Sequence, residues 1–183
     1  PVLIEIPRDM PFTDAGEPLE LPPTPYAAEA VANCADDLLQ RLRQAHSPAL
    51  LVGVEIRRFA LEDKVAELAR RLNAPVATSF MGRGLLADSD APLAGTYIGK
   101  AGNKEVQELV ENSDGLLMLG VIISDTNFGI SSRRVAQQHA IHAYDRDVKV
   151  GFHTYHNIPL AALLDALLEK AAPLAATATK LSF

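Results

Sequence analysis

Four short apolar runs limit what this chain can become. They are Ala49-Leu50-Leu51-Val52, Val76-Ala77-Thr78-Ser79, Leu116-Leu117-Met118-Leu119 and Ala140-Ile141-His142-Ala143, and the first and third stop at Gly53 and Gly120. They lack the alternation of half-exposed strands, so they read as strands covered on both faces, as in parallel sheets. Amphipathic stretches separate them. Leu61, Val65, Leu68 and Leu72 make one helix face, with Glu62 and Asp63 near its start and Arg70 and Arg71 in its last turn, as the helix dipole favours. Asn73 is placed to take the left-handed conformation that ends a helix, and Pro75 bars continuation. Asn103 is set to cap a short helix through Glu111 that turns Val106, Leu109 and Val110 inward. A helix over residues 26–45, with Thr24 as N-cap and Pro25 in its first position, precedes the first strand. Val148 to Phe152 adds an edge strand, and Asn157 opens a last helix with Leu160, Leu164, Leu167 and Leu168 on its apolar face. Strands alternating with helices predict an α/β fold in three layers, a mostly parallel sheet with helices on both faces.

The ends differ from this middle. Residues 11–25 hold five prolines and no hydrophobic period, which makes them an extended linker. After Pro173 the small, polar run ATATK marks 173–183 as a second linker or a tail. Before the first linker, Val2 to Ile6 form a β-rich run that needs sheet partners. The expected organisation is therefore 1–10 as the last strand of a preceding domain, 11–25 as linker and 26–172 as the domain proper, within a longer protein. The alternative docks Val2 to Ile6 on an edge of this domain's own sheet.

Composition removes several functions. The net charge of −6 argues against a nucleic-acid surface, and charges or prolines break every apolar run before membrane-spanning length. The single cysteine, Cys34, forbids an internal disulfide and suits a reducing, cytoplasmic setting; with Val31, Leu38 and Leu42 it lies on one helical stripe, as a packed thiol.

In open α/β sheets ligands bind beyond the carboxyl ends of the strands. The candidate crevice residues are Gly53, Val54, Ser79, Asp125, Thr126, Asn127 and Asp145. The first strand is followed by one glycine and then Val54, Glu55 and Ile56, not by G-x-G-x-x-G. Those side chains crowd the approach of a pyrophosphate and Glu55 repels it. Asp145 is placed either to hold a ribose hydroxyl or to cap nearby N–H groups, and the cluster Ser124 to Asn127 either to close a turn or to touch a ligand. His153 and His156 have no Cys or carboxylate in their segment to complete a metal shell. G-x-S-x-G, H-E-x-x-H and the P-loop are missing, so no catalytic residue and no metal ligand is assigned.

Several stretches carry a resemblance. PVLIEIPRDM resembles the end of the first domain of thiamine diphosphate-dependent decarboxylases and synthases, and TSFMGRGLLADSDAPLAGTYIG (78–99) and DGLLMLGVIISDTNFG (114–129) resemble their middle domain. M-G-R-G, then G-T-Y-x-G, then G-x-x-x-S-D-T-N is most similar to the branch acting on pyruvate, indolepyruvate and phenylpyruvate; LVGVEIRRF and GFHTYHNIPL sit with it, and the match runs to about residue 170. The resemblance implies a Rossmann-like, DHS-like NAD/FAD-binding fold standing between a pyrimidine-binding and a diphosphate-binding domain. It implies that thiamine diphosphate and Mg2+ lie between those flanking domains, outside this chain, and that the parent is a homo-oligomeric carboxy-lyase. No G-D-G occurs here, so no family catalytic residue maps onto these positions. The expectation is a non-catalytic central domain giving scaffold, subunit contacts and effector response. The alternatives are an FAD- or ADP-binding central domain of an acetolactate-synthase-like enzyme and a free-standing regulatory module.

Overall fold

A computed structural model describes residues 3–14, 16–20, 22–124 and 140–174. Among these residues seven strands form one sheet: β1 (Pro48–Val52), β2 (Val76–Ser79), β3 (Leu93–Tyr97), β4 (Gly115–Leu119), β5 (Ala140–Tyr144), β6 (Asp147–Val150) and β7 (His153–His156), in the order β3-β2-β1-β4-β5-β6-β7. The first five are parallel, and β6 and β7 extend the sheet as antiparallel neighbours. The fold is the expected α/β, Rossmann-like one. From β1 the strand order runs one way through β2 and β3 and the other way from β4 through β5, so the topological switch point lies between β1 and β4, where such sheets open a crevice.

Alternation along each strand sorts the core into two layers. Leu50 and Val52 of β1, Leu117 and Leu119 of β4 and Ile141 and Ala143 of β5 face one side. There α1 (Ala28–Gln44), α3 (Glu62–Leu72) and α5 (Leu160–Lys170) cover them, with α5 packed on both of the others. Ala49, Leu51, Leu116 and Met118 face the opposite side, where Val106 and Val110 of α4 (Lys104–Glu111) meet them. A one-turn helix, α2 (Glu55–Arg58), follows β1 directly.

Local signals explain most boundaries. Asn103 caps α4, its side-chain oxygen accepting from the N–H groups of Glu105 at 2.7 Å and Val106 at 3.3 Å. Asn73 ends α3 in the left-handed region, at φ 49°. Cys34 is fully buried with Val31, Leu38 and Leu42, and burial pushes its thiol up to about 12.

Other boundaries differ from the sequence expectation. Helix α1 starts at Ala28 with Ala27 as N-cap and no side-chain cap, because the Thr24 and Pro25 carbonyls are engaged by Arg146 instead. Asn157 does not open α5: it sits at φ 60°, and Pro159 is the N-cap. The strand expected at Val148 to Phe152 is β6, and it is internal; the edge is β7, and Phe152 lies in the turn between them, almost wholly exposed. Strand β3 had no sequence signal, since Gly95 at φ 135° interrupts it and β2 meets it through an irregular register at Val76/Ala77. Residues 3–7 form no strand, and Leu3, Ile4 and Ile6 are exposed, so this run does not dock on the sheet. At the other end the packed fold runs to Leu174, which is buried and donates its N–H to the Leu72 carbonyl at 2.9 Å.

Candidate functional site

The carboxyl ends of β1, β2, β4 and β5 gather the sequence-chosen positions that are described. Gly53 and Val54 follow β1, Ser79 closes β2 and Asp145 follows β5. Asp125, Thr126 and Asn127 lie outside the described residues.

The loops after β1 and β4 are stitched together by backbone. The Gly53 N–H donates to the Leu119 carbonyl at 2.8 Å, the Glu55 N–H to the Gly120 carbonyl at 3.2 Å, and the Gly120 N–H to the Ala143 carbonyl at 2.8 Å. A Cβ on Gly53 would stand 2.1 Å from the Gly120 oxygen, so only glycine allows this approach. Gly120, at φ 62°, is equally constrained, with the Glu55 Cβ 2.9 Å from where its own Cβ would be.

Glu55 then fills the crevice itself. It is 7% exposed, and its Oε2 accepts from the Asp145 N–H at 2.9 Å, reaching past the end of β4 to the turn after β5. Its Oε1 lies 3.5 Å from the Arg58 guanidinium. The carboxylate thus spans the crevice from the end of β1 to the turn after β5 and puts a negative charge where an anionic ligand would have to enter. The crowding expected from Val54, Glu55 and Ile56 comes from Glu55. Ile56 is fully buried in the helix-covered core, and Val54 is half-buried at the start of α2.

Ser79 is turned to a local task. Its Oγ, fully buried, accepts from the Gly82 N–H at 3.2 Å and caps the 3-10 turn Phe80–Gly82. Asp145 stands in the two-residue turn between β5 and β6 at φ 48°, with an exposed side chain. The structure therefore brings Gly53, Val54 and Asp145 together around Glu55 and gives Ser79 a capping role.

His142 had no distinguishing signal in an apolar run. It is 9% exposed, its ring Nε2 hydrogen-bonds the Val121 carbonyl at 2.7 Å, and the ring stacks on Tyr144 at 4.4 Å. Burial holds its pKa below the ordinary imidazole range; Lys149, its cross-strand partner, pushes the same way. With Met118, Ile123, Ala140, Lys149 and Gly151 it lines a cavity of ≈ 120 Å³. His153 and His156 lie on the edge strand β7. His156 Nδ1 pairs with Asp147 at 3.0 Å, and among the described residues no three His, Cys, Asp or Glu side chains converge as metal ligands.

Neither do these residues fit thiamine diphosphate. The sequence lacks G-D-G, and the crevice carries a carboxylate where a diphosphate needs N–H donors, cations or a metal. No helix among the described residues is long and apolar enough to cross a membrane.

Comparison with known proteins agrees with the fold. Over 173 residues, 94% of this chain and 32% of the relative, the chain is 54% identical to an indole-3-pyruvate decarboxylase of Azospirillum brasilense. It is 29% identical over 153 residues to a pyruvate decarboxylase of Aspergillus terreus, covering 84% of this chain and 27% of that protein. A pyruvate decarboxylase isozyme of Saccharomyces cerevisiae is 24% identical over 152 residues, covering 83% and 27%. The chain thus spans about a third or less of the length of these relatives. Residues 35–171, from α1 through α5, match the family described as thiamine pyrophosphate enzyme, central domain, and the chain belongs to that family.

Proposed function

We propose that this chain is the non-catalytic central domain of a thiamine diphosphate-dependent decarboxylase of 2-oxo acids of the indolepyruvate, phenylpyruvate or pyruvate type. The observation that carries the reading is the 54% identity across nearly the whole chain to an indole-3-pyruvate decarboxylase. In the parent, flanking pyrimidine- and diphosphate-binding domains hold thiamine diphosphate and Mg2+, which supply the carbanion chemistry that removes carbon dioxide from the 2-oxo acid. This chain's residues hold no proton on the reacting atoms. Its contribution is a rigid sheet, contacts within a homo-oligomer and response to effectors, in a cytoplasmic enzyme. Val2 to Ile6 belong, on this reading, to the sheet of the preceding domain; the apolar, exposed side chains of Leu3, Ile4 and Ile6 support it.

The FAD- or ADP-binding alternative loses support from Glu55. A nucleotide pyrophosphate in that crevice would meet a buried carboxylate and a backbone already hydrogen-bonded across it. The test compares the 183-residue chain with the longer protein that includes its flanking segments, both supplied with thiamine diphosphate and Mg2+. Aldehyde formation from indolepyruvate, phenylpyruvate and pyruvate is followed with a coupled alcohol dehydrogenase. The longer protein is expected to turn over at least one of them, and the isolated chain none. Turnover by the isolated chain, or a longer protein inert toward all three, would refute the reading. A yellow protein or nanomolar ADP binding by calorimetry would restore the alternative.

A further inference from the structure

The geometry points to a clasp, made by Arg146 and Asn157, that fixes the direction in which the proline-rich segment joins the domain. The last register pair of the β6–β7 ladder is Asp147 with His156. Arg146 precedes the one and Asn157 follows the other, so the ladder sets the two side chains beside each other. Both stand at turns with left-handed backbone: Asp145 at φ 48° directly before Arg146, and Asn157 at φ 60°. The Ile158 N–H donates to the Arg146 carbonyl at 2.8 Å and holds the two turns together.

From this base the side chains reach back more than a hundred residues. Arg146 Nη2 donates to the carbonyls of Thr24 at 3.4 Å and Pro25 at 3.2 Å, and the Asn157 amide donates to the Pro25 carbonyl at 3.1 Å. Arg146 Nε donates to Asn157 Oδ1 at 2.9 Å, which orients the amide so that its NH2 group faces the linker. A planar guanidinium can serve the amide and two carbonyls at once; a lysine ammonium on its flexible stem is far less suited to do so. The segment gripped ends the stretch 11–25, which holds five prolines, and lies two residues before α1. Without the grip the first fixed backbone would be Ala28. With it, the chain is fixed at Thr24, and the stiff Pro22-Pro23 pair carries that direction outward. If the decarboxylase reading above holds, the clasp sets how the segment from the pyrimidine-binding domain meets this one; that consequence rests on the reading, whereas the clasp itself does not.

The test measures linker geometry, not turnover, so the two fail separately. Nitroxides are attached to cysteines introduced at Glu20 and at Asp63 on α3, both exposed, while Cys34 is buried and slow to label. Pulsed electron–electron resonance gives the distance distribution between them. Asn157→Gly removes the amide while glycine keeps φ 60° without cost, so the fold is preserved. Releasing the chain from residue 24 back to 28 about doubles the segment that pivots behind the label, and because the proline pair keeps that segment stiff the spread grows roughly in proportion to its length, up to about twofold. That broadening is expected in Asn157→Gly, in Arg146→Ala and in Arg146→Lys, with the melting temperature of Asn157→Gly unchanged. A distribution already broad in the parent, or equally narrow in Asn157→Gly, overturns the clasp. Full recovery in Arg146→Lys overturns its hydrogen-bonded form.

Discussion

Replacing Gly53 by alanine isolates the contact that closes the crevice. The new Cβ would lie 2.1 Å from the Gly120 oxygen and 2.4 Å from the Val121 Cα, where real Cβ atoms keep at least 3.0 Å. Both obstacles are backbone, so no side chain can swing aside. Relief requires the β1 and β4 loops to part by about 1 Å, which strains or breaks the hydrogen bonds Gly53 N–H to Leu119 and Glu55 N–H to Gly120. At about 1 kcal/mol for each bond and about 1–3 kcal/mol for overpacking, the cost is about 3–5 kcal/mol. For a domain of this size that lowers the melting temperature by roughly 10–15 °C. Gly84→Ala is the control: it has φ 78° and nothing within 4 Å of its added Cβ, so only the backbone penalty of about 1–2 kcal/mol applies. Circular dichroism melts of the two variants should separate them clearly. A Gly53→Ala protein that melts within a few degrees of the parent would refute the claim that backbone approach, and not side-chain crowding alone, shuts the crevice.

Two titrations test the buried groups. The Cys34 thiol is raised from its ordinary 9.0 to about 12, so stability is whole below pH 9 and is lost as pH rises toward 12, while the unfolded thiol ionises and the folded one does not. Cys34→Ala should flatten that alkaline limb in urea titrations, and the native thiol should react with Ellman's reagent far more slowly than the unfolded one; equal reactivity would contradict its burial. For His142 the sign is the opposite. Its folded pKa lies below 6.5, so its contribution is present above pH 6.5 and fades as pH falls through the folded pKa. The urea midpoint should drop between pH 7 and pH 5, and His142→Gln should drop less; identical slopes would remove His142 as the cause.

Most of the sheet was legible because strands buried on both faces write themselves as unbroken apolar runs. β1 and β4 are such runs, β2 and β5 are short buried runs interrupted by Thr78-Ser79 and His142, and Asn73 and Asn103 mark helix ends by chemistry that depends on neighbours only a few residues away. β3 and β7 were not legible. Gly95 breaks the first, and His153-Thr154-Tyr155-His156 is a polar edge whose strand form comes from pairing with β6. Tyr155 illustrates why: its hydroxyl donates to Asp37 of α1 at 3.2 Å, a partner 118 positions away. The same limit governed the crevice. That Glu55 opposes a phosphate was readable from its charge and place. That it does so by accepting the Asp145 N–H, 90 residues on, was not. Thr24 and Pro25 looked like a helix start because local rules favour one there, and tertiary partners on Arg146 and Asn157 overrode those rules.

The turn Asp145-Arg146 joins the closed crevice to the clasped linker. Its first residue gives its backbone N–H to Glu55, and its second gives its side chain to the Thr24 and Pro25 carbonyls. A ligand phosphate competing for the Asp145 N–H would have to displace the Glu55 carboxylate from a site where it is 7% exposed, and would leave that charge without its backbone hydrogen bond. It would also pull on the turn that carries Arg146. Closing the crevice and holding the linker therefore favour the same turn geometry. On the proposed reading, the side chain that stands against a nucleotide phosphate also hydrogen-bonds the turn at which the proline-rich segment is gripped.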